Sequence, residues 1–262
     1  MTLIGVFDSG VGGLSVLGEV RRLLPGADLI YLADQANSPY GQRSLGEVRK
    51  LAEACAGHLL DLGAEVVVVA CNTASAAALH HLRSIFPDVP FVGMEPAIKP
   101  ATGLTRSKVV GVLATAATFQ SELFSSVLGR FADGVAIVTQ ACPGWADFVE
   151  TGEISGPVTE AAIARHLDPV LAAGADTLVL GCTHYPFLRR VIAERAGAQV
   201  VIVDPAPAVA RQVVVVAGDS NGPGHGGELR LLTTGNAVEA QTVIRHLTGI
   251  RTPVTAVTLA EE

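Results

Sequence analysis

Two stretches of this chain repeat one another, and each ends on a cysteine in the same register. Gly63-Ala64-Glu65-Val66-Val67-Val68-Val69-Ala70-Cys71-Asn72-Thr73 matches Gly174-Ala175-Asp176-Thr177-Leu178-Val179-Leu180-Gly181-Cys182-Thr183-His184. In both copies the cysteine falls eight residues after the glycine of a Gly-Ala-acid turn, at the end of an apolar run. A second pair repeats as well: Ile4-Gly5-Val6-Phe7-Asp8-Ser9 and Val110-Gly111-Val112-Leu113-Ala114-Thr115 are offset by 106 residues, the cysteine segments by 111. A short loop insertion accounts for the difference. Such a duplication implies two related lobes, each presenting one thiol to a shared cleft. That arrangement suits the handling of one proton from two sides.

Short apolar runs alternate with longer helical stretches, the pattern of βαβ units and a parallel sheet. Strands are expected at Leu3–Phe7, Leu29–Leu32, Val66–Ala70, Val89–Val92, Val109–Leu113, Val135–Val138, Thr177–Leu180 and Val200–Val203. Their near-continuous Val, Ile and Leu content suits strands covered on both faces. Helices are expected between them, among them Ser44–Leu62, Ala74–Ile85 and Val158–Ala173. Beyond Asp204-Pro205 come a helix at Ala206–Ala217, a polar Gly-rich loop at Gly218–Gly227, a strand at Leu229–Thr234 and a helix at Ala237–Leu247. The expected fold is α/β: two pseudo-symmetric, Rossmann-like lobes with mostly parallel sheets and the active site in the cleft between them. Pro96 and Pro100 mark the changeover. The lobes are taken as residues 1–97 plus about 208–262, and residues 98–207, although a second-lobe position for the C-terminal strand is also open.

Hydrophobic residues make up 49% of the 262 and charged residues 16%, enough for a large core. The net charge of −7, with no Lys/Arg-rich run, argues against nucleic acid or an anionic membrane as partner. Met1 to Asp8 has no basic run or signal-peptide layout, and Val66–Leu82 is too polar to span a bilayer. A cytoplasmic location is expected. The four cysteines Cys55, Cys71, Cys142 and Cys182 include no C-x-x-C pair, so neither a zinc ribbon nor a thioredoxin-type motif is supported, and no metal is expected.

A residue at the carboxyl end of a parallel strand stands at the crevice where open α/β sheets bind ligands. Cys71 and Cys182 are both expected there. Asn72-Thr73 and Thr183-His184 should open helices whose free N–H groups face the crevice, favouring a carboxylate and lowering the thiol pKa toward neutrality. A lone cysteine ending an apolar strand is more often core, and that reading is kept for Cys55 and Cys142. For the other two, the matched register reverses it. His184, two residues after a thiol, can accept, donate or stabilise charge near neutrality. Asp8-Ser9 leads into Gly10-Val11-Gly12-Gly13, which lacks the spacing of a nucleotide-binding loop. It reads better as a tight turn bringing backbone amides to a small carboxylate. Asp8 alone is equally readable as a helix N-cap, and Tyr40-Gly41 as a surface turn.

Taken together, Phe7-Asp8-Ser9-Gly10-Val11-Gly12-Gly13-Leu14, Ser38-Pro39-Tyr40-Gly41, Ala70-Cys71-Asn72-Thr73-Ala74, Phe148-Val149-Glu150-Thr151-Gly152 and Leu180-Gly181-Cys182-Thr183-His184-Tyr185-Pro186 resemble the glutamate racemases of the cofactor-independent aspartate/glutamate racemase superfamily. The resemblance runs in the family's order from the start to about residue 205, and Thr233-Thr234-Gly235 resembles its final strand-to-helix turn. It implies interconversion of L- and D-glutamate without a cofactor, supplying D-glutamate for peptidoglycan. It places Cys71 and Cys182 on opposite faces of the substrate Cα, Cys71 acting on D-glutamate and Cys182 on L-glutamate. Asp8 and His184 would assist their neighbouring cysteines, with Glu150 near His184. Asp8, Ser9, Tyr40, Gly41, Asn72, Thr73, Thr183 and His184 would hold the substrate, together with Thr115 and Thr118. A homodimer is the family-level expectation. The Asp34-Gln35-Ala36-Asn37 loop carries no catalytic assignment, and Gly218–Gly227 reads as a lineage-specific loop.

Thiolates are poor bases for so weak a carbon acid, so the site must stabilise carbanion-like charge with preorganised donors in a dry environment. No Arg or Lys stands in these motifs, so neutral donors and backbone N–H groups should bind the carboxylates. Aspartate racemase is the nearest rival, disfavoured by His184-Tyr185-Pro186; a hydantoin-type racemase is further away. A non-catalytic binding protein has no use for matched thiols, and a redox pair would require a Cys71–Cys182 bond that a substrate between them prevents.

Overall fold

A computed structural model describes residues 2–218 and 226–259. Most of the Gly218–Gly227 loop thus lies outside the described residues. The strands are β1 (Leu3–Asp8), β2 (Asp28–Ala33), β3 (Val66–Val69), β4 (Phe91–Gly93), β5 (Val109–Ala114), β6 (Ala136–Ala141), β7 (Thr177–Gly181), β8 (Val201–Val203), β9 (Leu229–Thr233) and β10 (Val254–Ala256). The helices are α1 (Leu14–Leu23), α2 (Leu45–Asp61), α3 (Asn72–Ile85), α4 (Ile98–Leu104), α5 (Ala116–Phe119), α6 (Glu122–Phe131), α7 (Trp145–Glu150), α8 (Pro157–Ala172), α9 (Arg189–Ala196), α10 (Ala206–Ala217) and α11 (Ala237–Thr248).

Two parallel sheets result, ordered β10-β9-β2-β1-β3-β4 and β6-β5-β7-β8. The unbroken valines of β3 explain the layering. Val66 and Val68 join the core of Leu14, Leu17 and Val20 from α1, while Val67 and Val69 join Val48, Ala52 and Leu59 from α2. Because strand side chains alternate in direction, a run apolar at every position must be covered on both faces. The alternative left open for the C-terminal strand resolves onto the first sheet: Leu29 to Ala33 of β2 pair with Leu229 to Thr233 of β9.

The two central pairs are built alike. β1 lies between β2 and β3, and β5 between β6 and β7, each with parallel neighbours. The repeated segments therefore occupy equivalent strands, and Asp8, Cys71, Thr115 and Cys182 all fall at carboxyl ends.

The two cysteine corners differ in one respect from expectation. Cys71 is the N-cap of α3, and Ser75 N–H donates to Cys71 C=O at 2.8 Å in helical fashion. The equivalent position in the second copy is Pro186, which has no N–H to give. The chain there makes the tighter bond Tyr185 N–H to Cys182 C=O at 3.1 Å and enters a 3₁₀ turn, Tyr185–Leu188, before α9. Thr183-His184 thus opens a short turn, not an α-helix.

Candidate active site

A cavity of about 330 Å³ is lined by residues of both repeats: Ser9, Tyr40, Gly41, Cys71, Asn72 and Thr73 from one side, Thr115, Cys182, Thr183 and His184 from the other. Cys71 and Cys182 retain 4% and 8% of their exposure, so both sulfurs are shielded yet neither is sealed away from the cavity. Asp8, Glu150 and Thr118 do not line it. They stand behind residues that do, Thr118 through a 2.9 Å hydroxyl contact with Thr115. Thr115 in turn meets Thr73 at 3.0 Å, joining the two sides by a row of hydroxyls.

The surroundings of the two sulfurs are unlike. Cys71 Sγ accepts from Ala74 N–H at 3.4 Å and lies 3.9 Å from Ser9 Oγ, which donates to Asp8 Oδ1 at 3.3 Å. Burial, and then the charge of Asp8, push the Cys71 thiol well above its ordinary range, against the capping bond from Ala74. The helix start alone was expected to ready a thiolate here. It does not prevail, because desolvation and a carboxylate outweigh one amide dipole. Asp8 itself is fully buried and its pKa is raised, chiefly by desolvation and despite the proximity of His184.

Cys182 Sγ lies 3.7 Å from His184 Nδ1, and His184 Nε2 lies 2.6 Å from Glu150 Oε1. Burial alone would lower the His184 pKa, but bonding to Cys182 and Glu150 raises it well above the usual value. Glu150 is correspondingly lowered: bonds from His184, Gln35 and Val11 N–H override its burial. Both contacts favour the protonated form of His184, whose ring is clamped between a sulfur and a carboxylate.

The glycine turn after β1 has a different purpose from the one expected. Its amides do approach carboxylates, but these are the protein's own. Val11 N–H donates to Glu150 Oε1 at 2.7 Å and Gly13 N–H to Asp8 Oδ2 at 2.5 Å. The glycines are required by close approach. A Cβ on Gly10 would stand 1.9 Å from Glu150 Oε1, and one on Gly12 would stand 2.2 Å from His184 Nδ1. The N-cap of α1 is Gly13, five residues on, so Asp8 is not the helix N-cap of the alternative reading; it holds the turn by accepting the Gly13 N–H.

The Asp34-Gln35-Ala36-Asn37 stretch after β2, which carries no catalytic assignment from the sequence, is built into the site. Buried Asp34 accepts from Tyr40 Oη at 2.5 Å and from Thr234 Oγ1 at 2.7 Å, fixing the tyrosine at the cavity wall. Arg43, Gln120 and Asp147 also line the cavity, so it is not free of charged residues. Arg43 is fastened by Nε donating to Asn37 C=O at 2.7 Å; its place two residues after Tyr40-Gly41 was the available signal. Cys55 is core, as expected. Cys142, also expected to be core, is buried but lines the cavity, its thiol pushed up by burial and by Cys182.

Asn72 is the residue that most plainly awaits a ligand. It is 3% exposed, it lines the cavity, and among the described residues neither its carboxamide nitrogen nor its oxygen has a hydrogen-bond partner. Buried amides are rarely left so, since an unmet polar group costs about 1–3 kcal/mol.

The chain is similar to known racemases. The family model for Asp/Glu/hydantoin racemases matches residues 4–213. The glutamate racemase of Roseiflexus sp. (strain RS-1) is 56% identical over 213 residues, 81% of this chain and 78% of that protein. The crystal structure of glutamate racemase isoform RacE1 from Bacillus anthracis superposes with a TM-score of 0.89 at 31% identity, covering 98% of each chain. The Escherichia coli glutamate racemase, solved with L-glutamate and the activator UDP-MurNAc-Ala, gives 0.87 at 31% identity and covers 99% of each.

Proposed function

This chain belongs to the Asp/Glu/hydantoin racemase family, and we propose that its cleft interconverts L-glutamate and D-glutamate by a two-thiol mechanism, supplying D-glutamate for peptidoglycan synthesis. The observation that carries the reading is a pair of cysteines, one from each repeat, on the wall of one cavity and with unlike partners.

In the L-to-D direction Cys182, beside the His184 imidazolium, takes the α-proton: the Cα–H bond breaks and an S–H bond forms. Cys71, which burial and Asp8 hold as a thiol, gives its proton to the opposite face, breaking S–H and forming the new Cα–H bond. The enzyme is left with the proton moved from one sulfur to the other, ready for the reverse reaction from D-glutamate. Asp8, His184 and Glu150 act by holding these proton states. Charge that develops on the substrate needs fixed donors; the Asn72 carboxamide, the hydroxyls of Ser9, Thr73 and Thr183, and the amides of Tyr40-Gly41 and the α3 start are the candidates. Thr115 extends this lining, with Thr118 behind it. An Asn offers a donor to a carboxylate and an acceptor to an ammonium group, which suits an α-amino acid.

The same reading takes residues 1–97 with about 208–262 as one lobe and 98–207 as the other, supported by the pairing of β9 with β2. It also takes the protein as a homodimer acting in the cytoplasm. Among the described residues no helix is long and apolar enough to cross a membrane. Circular dichroism of L- and D-glutamate, with aspartate as control, tests the function: both glutamate enantiomers should converge on the racemate and aspartate should stay unchanged. A protein that racemises aspartate and not glutamate contradicts it.

A further inference from the structure

Behind His184 runs a line of hydrogen bonds that no part of the two-thiol mechanism requires. Gln35 Nε2 donates to Glu150 Oε2 at 2.9 Å, and Gln35 Oε1 accepts from Thr233 Oγ1 at 2.8 Å. Thr233 is fully buried at the end of β9 and itself accepts from Gly235 N–H at 3.0 Å. Each link has its polarity fixed by chemistry. A carboxylate can only accept, so the amide nitrogen faces Glu150; the amide oxygen then faces Thr233, whose hydroxyl must donate.

Glu150 is thereby held on both oxygens. Oε1 takes His184 Nε2 and Val11 N–H, and Oε2 takes the Gln35 amide. A carboxylate fixed at one oxygen alone can rotate about its last torsion, which is broad. The Gln35 bond removes that freedom, and so fixes the direction in which the imidazole points its other nitrogen at Cys182. Thr233 lies beyond the stretch matched by the family model, residues 4–213, and is separated from Gln35 by 198 residues. The C-terminal return of the chain to the first sheet thus reaches the chemistry of the second through three side chains.

We propose that Gln35, anchored by Thr233, is a positioning residue of the racemase: it sets the orientation of the Glu150–His184 pair that serves Cys182. The inference rests on the reading that His184 acts on Cys182. Gln35 does not line the cavity and its side chain bonds to Glu150 and Thr233, so its effect must appear through Glu150. The titratable groups around that carboxylate are His184, Asp8 and Tyr31. Gln35 is the neutral member of the set.

The test is kinetic. Gln35→Glu is nearly isosteric, can still accept from Thr233, cannot donate to Glu150, and adds a like charge beside it. Gln35→Leu removes both bonds, and Thr233→Val removes the anchor alone. Each is measured for racemisation across pH from both enantiomers, with far-UV circular dichroism as the folding control. Because racemisation has an equilibrium constant of one, kcat/KM must fall equally for L- and D-glutamate. We expect a fall of about tenfold for Gln35→Glu and Gln35→Leu. The acidic limb of the profile, where Glu150 gains a proton, should move to higher pH in the order parent, Gln35→Leu, Gln35→Glu. The loss of a donor and the gain of a like charge both raise that carboxylate's pKa. Thr233→Val should move it the same way by less, and adding Thr233→Val to Gln35→Leu should add nothing, since one chain is already cut. A limb that stays put in a folded Gln35→Glu enzyme, whatever its rate, overturns the proposal, as does kcat/KM within twofold of the parent. A Cys182→Ser enzyme that still racemises glutamate overturns the reading beneath it instead.

Discussion

Asp8 ends β1 of one sheet and Thr183 follows β7 of the other, yet the Thr183 hydroxyl donates to Asp8 Oδ2 at 3.2 Å. The residue after one catalytic sulfur is thus tied to the carboxylate that governs the other. Asp8 raises the Cys71 thiol, so its replacement has a defined sign. In Asp8→Asn the Cys71 pKa falls, and the basic limb of kcat/KM, where the second thiol is lost, moves to lower pH. A pH profile against the parent enzyme checks this; a basic limb that rises or stays contradicts it.

Glu150→Gln keeps the side chain's shape and removes the charge that holds His184 protonated. The His184 pKa should then drop, weakening the cationic donor beside Cys182. A loss of about 10²-fold in kcat/KM is expected, the scale of a proton-handling group. It must be equal for both enantiomers.

Asn72→Ala should separate stability from function. The variant discards a buried amide that has no protein partner among the described residues and places a better helix former at the start of α3. Thermal unfolding of the free protein should be unchanged or raised, by up to about 1 kcal/mol. kcat/KM for glutamate should fall at least about tenfold, the worth of one hydrogen bond to a charged ligand. A destabilised variant with normal kinetics would assign Asn72 to the fold.

Gly12→Ala tests the close approach at the cleft. Its Cβ would fall 2.2 Å from His184 Nδ1, so the imidazole must be displaced from Cys182. Misplacement on that scale costs about 10²-fold in rate. Gly18→Ala on the neighbouring helix meets nothing within 4 Å and serves as the control that leaves activity intact.

The parts of this molecule that were legible beforehand share a cause. The duplicated cysteine corner could be read because β3 and β7 are buried on both faces, which writes an unbroken apolar run ending in polar residues. Short-range chemistry is partly legible: Pro186 forbids the helical bond that Ser75 makes. What stayed hidden was decided by residues distant in sequence. Gly10 and Gly12 are glycines because Glu150 and His184 press on them, more than a hundred residues away. Gln35 looked idle because its partners stand 115 and 198 positions along the chain. Strand β10 escaped notice because three residues after Pro253, at a sheet edge, carry almost no periodicity.

The account stands on two sulfurs serving opposite faces of one carbon, and exchange of the α-proton in D₂O reads this directly. Cys71→Ser and Cys182→Ser, each incubated with each enantiomer, should lose racemisation by about 10³-fold or more. Any exchange that survives should be confined to L-glutamate in Cys71→Ser and to D-glutamate in Cys182→Ser. Near-parental racemisation by either variant, or exchange of both enantiomers by a single remaining thiol, would contradict it.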